Sequence, residues 1–162
     1  MRSGIFIAVF IFASSVAGYS QAVARGDAGS KCGWEMPQLA ASSPKPSYAR
    51  YNFAEGTVGV MCFEENQTYG IESDDDLKDS VARTLIAWAE KNYAVAKVVS
   101  RKDFSIGKYK GTIYSLNLGT KLYEIRVVAR NRTAYALTAL ADSPRKLQLL
   151  REQHLERFQI FR

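Results

Sequence analysis

From Val95 onward, apolar and polar positions alternate with a period of two. Val98 to Ile106, Thr112 to Leu118, Lys121 to Arg130 and Thr133 to Ala141 are strand-length segments, and such alternation predicts half-buried strands. Gly107 and Gly111, then Gly119-Thr120, then Asn131-Arg132 punctuate them as tight turns. In the third segment Tyr123, Ile125, Val127 and Ala129 share one face, while Glu124, Arg126 and Arg130 share the other. This predicts an antiparallel meander with one buried and one polar side. Upstream, Leu77, Val81, Leu85 and Trp88 recur at spacings of four, four and three, the apolar stripe of an amphipathic helix ending near Tyr93. Ser73 is a natural N-cap, and Asp74, Asp75 and Asp76 occupy the positive end of the helix dipole. Ser47 to Phe53 and Gly56 to Phe63 are β-rich runs separated by Ala54-Glu55, which predicts a hairpin. A last helix opens at Ser143-Pro144 and carries Leu147, Leu150, His154 and Phe158 on one stripe. The order β-β-α-β-β-β-β-α predicts an α+β domain. Its antiparallel sheet of about six strands is flanked by a long early helix and a C-terminal helix.

Ahead of this pattern the chain reads differently. Met1-Arg2 is followed by an unbroken apolar run, Ile5 to Ala13, and then by small and polar residues ending in Ala22-Val23-Ala24. That is the pattern of a secretory signal with an A-x-A cleavage site. The run is too short to span a bilayer, which takes about 20 apolar residues. Residues 1–24 are therefore expected to be a cleaved signal peptide, 25–46 an irregular Gly- and Pro-bearing leader, and 47–162 a single domain. The Gly29-Ser30-Lys31 stretch before Cys32 is not a lipobox. The expected location is exported, periplasmic or secreted, with no transmembrane span after cleavage.

Export changes the reading of the two cysteines. In an oxidising compartment an even number suggests pairing. A Cys32–Cys62 bridge would pin the leader to the sheet and contribute about 3–4 kcal/mol in the chain-entropy model. The rival reading, a catalytic thiol, lacks a basic partner, because the one histidine lies near the C-terminus.

The order of elements resembles the PsbP-like superfamily, shared with the Mog-type Ran-binding protein. The features are the early strand pair, the helix from Asp74 to Tyr93, the Gly107-to-Gly111 turn and the long hairpin TIYSLNLGTKLYEIRVVA. They continue with the aromatic-bearing strand Thr133 to Leu137 and a closing Phe158-Gln159-Ile160-Phe161. In that family the closing segment usually reads Ser-Phe-x-x, and Arg157-Phe158 stands in its place here. The resemblance covers roughly 47–162. It implies a sheet with helices on its faces and an accessory or binding role without catalysis, and it supplies no catalytic residue to carry over.

Composition and charge narrow the chemistry. One histidine and two cysteines exclude His-rich metal sites and Cys-rich zinc modules. There is no G-x-S-x-G elbow, and a serine triad would have to use His154, which sits on an apolar stripe. Residues 55–79 carry eight acids against one base, a local −7. Asp74, Asp75, Asp76 and Asp79 are candidate cation ligands, but the glycine and glutamate positions of an EF-hand loop are absent. Residues 91–132 carry ten bases against two acids, a local +8. Lys108, Lys110, Lys121, Arg126, Arg130 and Arg132 form a candidate basic binding face for an anionic surface or acidic protein. Tyr109, Tyr114 and Tyr123 are interleaved with these bases, although Tyr123 has the parity of the buried face and an exported protein rarely meets nucleic acid. The Gly107-to-Gly111 turn lacks Walker spacing.

These readings favour a non-enzymatic accessory or interaction protein of the cell envelope, contacting a partner protein or an anionic surface through charged faces. No cofactor and no nucleic-acid partner is expected. Two alternatives remain open: a small-ligand binder or enzyme with a site between sheet and helix, and a metal-binding protein using the 72–79 acidic cluster.

Overall fold

Eight-to-ten-residue alternating segments joined by two-residue turns can only pair with their neighbours, and they do so in the computed structural model, which describes residues 23–25, 34–37, 48–64, 71 and 73–160. The strands are β1 (Val23–Arg25), β2 (Trp34–Pro37), β3 (Tyr48–Asn52), β4 (Thr57–Glu64), β5 (Lys97–Ile106), β6 (Tyr109–Asn117), β7 (Leu122–Arg130), β8 (Thr133–Ala141) and β9 (Gln159–Ile160). The helices are α1 (Asp74–Asn92) and α2 (Pro144–Gln153). Six strands form one antiparallel sheet in the order β3-β4-β8-β7-β6-β5, so the α+β expectation holds. The meander β5-β6-β7-β8 closes against the β3–β4 hairpin through the β4–β8 pair, with Val58 opposite Ala139 and Val60 opposite Leu137.

Two differences lie at the ends. The segment read as an irregular leader contains a strand, Trp34–Pro37, which pairs with β1 and β9 in a small three-stranded sheet. The last helix stops at Gln153; a 3-10 turn at Leu155–Arg157 follows and turns the chain back into β9. Within the signal reading, residues 1–22 lie outside the described residues, and β1 spans the expected cleavage position. No described helix is long and apolar enough to cross a membrane.

Each face of the large sheet has its own core. On one side α1 lays Leu77, Val81, Ala82, Leu85 and Ala89 over Tyr123, Ile125, Val127, Ala134 and Ala136; alanines on β8 let the helix approach closely. On the other side α2 and the 3-10 turn place Leu147, Leu150, Leu155 and Phe158 against Val58, Val60, Tyr135 and Leu137. The face expected to be polar is therefore covered. Glu124 is 1% exposed, Arg126 7%, and Val128 next on the same face of β7 is fully buried.

Ser73 caps α1 by accepting from the Asp76 amide at 3.1 Å. Asp74 in the first turn reaches across to the β7–β8 turn, where its carboxylate accepts from the Asn131 and Arg132 amides at 2.9 and 2.7 Å. Both turn residues have positive φ, 47° and 63°, a left-handed geometry that costs non-glycine residues free energy. Asp74 holds that turn in place.

Candidate functional site

The six residues of the expected basic face do not share one surface. Lys108 and Lys110 sit at the β5–β6 turn, next to the β7–β8 turn that carries Arg130 and Arg132; the Arg130 guanidinium lies 5.1 Å from the Tyr109 ring centre. Lys121 belongs to the turn at the opposite end of the sheet, where its carbonyl accepts from the Leu118 amide. Arg126 is buried, and its Nε donates to Glu124 Oε1 at 2.7 Å. Strand parity placed Arg126 away from the α1 core correctly, but a second helix covers that face, so it is withdrawn from any binding surface.

The acidic cluster is not convergent either. Asp74 is spent on the β7–β8 turn, Asp75 pairs with Lys78 at 2.7 Å, Asp76 accepts from the Ser73 hydroxyl, and Asp79 faces Arg101 at 3.9 Å. The Lys78 hydrogen bond and charge hold the Asp75 carboxyl below its usual range, and the charge of Lys110 adds to the effect. Among the described residues no three metal-ligating side chains group together. The acidic and basic segments thus lie side by side and partly neutralise each other.

Cys62 lies in β4, is 5% exposed, and no described cysteine is a free thiol. Cys32 lies outside the described residues, so its pairing with Cys62 stands as a proposal.

Among the described residues the fold creates a concave site. Because α1 packs on β7 and β8, no described helix covers the β3–β4 flank of the same sheet face beside the C-terminal half of α1. The cleft there has a volume of about 410 Å³, within the size range of small-molecule sites, about 300–1,000 Å³. Its floor is set by register: Arg50 opposes Gly59, and Gly59 opposes Thr138, so all three share the α1 face. A Cβ on Gly59 would stand 2.5 Å from Thr138 Oγ1; glycine is what lets that hydroxyl lie across the strand. Leu85, Trp88 and Tyr93 form the helix wall, and Met61, Leu118, Tyr123 and Leu140 the opposite side. Trp88, on the stripe expected to be buried, is 50% exposed. Its ring stands 6.3 Å from both Tyr93 and Tyr123, so three aromatic rings line the opening. The lining includes one cation, Arg50, and no carboxylate, imidazole or thiol.

On the far face, Glu124 accepts from Arg126 Nε and from Arg151 Nε, both at 2.7 Å, a buried carboxylate shared by two guanidiniums. Arg126 also lies 5.9 Å from the Phe104 ring. His154 follows α2 and stacks on Phe53 with ring centres 4.3 Å apart. Its Nδ1 is buried without a partner, and burial pushes its pKa below the usual imidazole value, opposed by Glu55 and assisted by Arg157.

Sequence reasoning offered a site between sheet and helix as an alternative but named none of the residues of this cleft for it. Gly59 inside an otherwise regular strand was the available signal, since a mid-strand glycine marks close approach; Trp88 was assigned to the core on stripe position alone.

No family model and no curated protein matches this chain. Among solved structures it is similar to the solution structure of cyanobacterial PsbP (CyanoP) from Synechocystis sp. PCC 6803, with a TM-score of 0.55 and 10% identity over 92% of this chain and 99% of that one. A weaker likeness, TM-score 0.43 at 15% identity, is to a Pseudomonas aeruginosa protein of unknown function, PA94, described as a putative regulator; it covers 73% of this chain and 83% of that one. The first of these agrees with the PsbP-like order of elements at the level of fold.

Proposed function

We propose that this is an exported, non-enzymatic accessory protein that works by binding, and that its recognition site is the cleft between α1 and the β3–β4 flank. The observation that carries the reading is the lining: three aromatic rings and four aliphatic or thioether side chains, with no carboxylate, imidazole or thiol to act as acid, base or nucleophile. The sheet-and-helix site weighed as an alternative is thereby favoured as a binder and not as an enzyme. The PsbP-like fold is compatible with this role. Docking through the charged faces has less support, because Arg126 is buried, Lys121 lies at the other end, and the aspartates are engaged within the fold, Asp75 and Asp79 with bases and Asp74 and Asp76 with backbone amides and Ser73.

The test is to purify the mature protein from its native envelope fraction and identify small molecules released on unfolding. A compound present in the wild type and depleted in Trp88→Ala supports the reading. A wild type that carries nothing, and that pulls down a stoichiometric protein partner in a salt-sensitive manner instead, overturns the cleft in favour of the charged faces.

A further inference from the structure

Two polar side chains in the cleft, Arg50 and Thr138, are not engaged by the rest of the described residues. Among the described residues, the side chain of Arg50 on the edge strand β3 takes part in no ion pair or hydrogen bond. The Thr138 side chain is 7% exposed, lines the cleft floor, and makes no hydrogen bond to any described residue. Lining the cleft, the Thr138 hydroxyl is available to a molecule seated there. Arg50 and Thr138 are aligned across the sheet with only Gly59 between them. The rest of the lining is aliphatic or aromatic except for Thr57, whose hydroxyl is already donated to Asn52.

From this we infer that the cleft takes a small amphiphile with a single carboxylate head and an apolar body. The carboxylate pairs with the Arg50 guanidinium and accepts from the Thr138 hydroxyl, and the body lies against Trp88, Tyr93 and Leu85. A guanidinium matches a carboxylate in two-point geometry. The absence of any acid from the lining means the head meets no like charge. The inference rests on the cleft being the recognition site, and the following measurement separates the two.

The probes are decanoate and its uncharged counterpart decanol, both below their aggregation thresholds. They are titrated into the mature protein carrying Trp34→Phe, so that Trp88 is the only indole. The expected result is a saturable change in Trp88 fluorescence with decanoate, and affinity about tenfold lower with decanol or with Arg50→Gln, as for loss of a hydrogen bond to a charged group. Thr138→Val, which keeps the shape, weakens decanoate and leaves decanol unchanged. Equal affinity for the two probes, unaffected by Arg50→Gln, overturns the carboxylate inference and leaves the cleft standing. No response to either probe overturns both. An indole already shielded from a soluble quencher before any probe is added would mean that another stretch of the chain covers the cleft, which also overturns the inference. If Thr138→Val does not fold, Arg50→Gln, on an exposed side chain, still decides the matter.

Discussion

Replacing Glu124 by glutamine should be the most costly isosteric change in the sheet. The carboxylate is 1% exposed and is the shared acceptor for Arg126 and Arg151. Glutamine keeps the shape but removes the charge and turns one oxygen into a donor aimed at a donor. Arg126, with a side chain 9% exposed, would retain only Glu156 at 3.9 Å, itself half in water. Breaking a buried pair by removing one partner costs about 3–5 kcal/mol. Arg151 is 28% exposed at the side chain and recovers hydration, which places Glu124→Gln near the lower limit, about 3 kcal/mol. That is a large part of an ordinary domain's stability, about 5–15 kcal/mol. Urea unfolding at pH 7 should show the midpoint falling by about 1–2 M with an unchanged slope. Arg151→Met leaves Glu124 neutralised by Arg126 and should cost only about 1 kcal/mol. Replacing Glu124 and Arg126 together by leucine and methionine should recover most of the loss, since both charges then leave the interior. A Glu124→Gln protein within about 0.5 kcal/mol of wild type, or an Arg151→Met protein destabilised equally, would refute the reasoning.

Other consequences follow from single contacts. Asp74→Ala should cost about 1–2 kcal/mol and speed hydrogen exchange at the Asn131 and Arg132 amides; unchanged exchange at both would contradict the role given to Asp74, and added calcium should leave the wild-type melt where it is. His154 has a folded pKa below its unfolded value, so its contribution to stability is complete above about pH 6.5 and is lost as pH falls through the folded pKa. Urea midpoints between pH 7.5 and pH 5 should fall more steeply for wild type than for His154→Phe, and parallel slopes would remove His154 from the account. If Cys32 and Cys62 are paired, the unreduced protein is lighter by two hydrogens and Cys62→Ala costs about 3 kcal/mol; two titratable thiols in the exported protein would end that proposal.

Much of the fold was legible because turn signals and period-two alternation act locally. Asn131-Arg132 and Gly119-Thr120 fixed the hairpins, and Ser73 fixed the helix start. Placing Arg126 required knowing that α2 lies over the second face, and alternation reports a side of the sheet without saying what covers it. Trp88 shows the same limit from the helix side: its stripe position is regular, but α1 is seated over β7 and β8, and no described helix covers the β3–β4 flank beside that tryptophan. The pairing of Trp34–Pro37 with Gln159–Ile160 joins residues at opposite ends of the chain, and no local pattern announces it. The cleft depends on all of these placements at once, and within it only Gly59 left a trace in the sequence.

The central claim, that recognition resides in the cleft, is tested most directly by mapping amide chemical shifts while a library of small apolar acids and neutral analogues is added to the mature protein. The account predicts that binders perturb Gly59, Leu85, Trp88, Tyr93 and Thr138 together. Perturbations confined to the Lys108–Lys110 and Arg130–Arg132 turns, with the cleft amides unmoved, would contradict it.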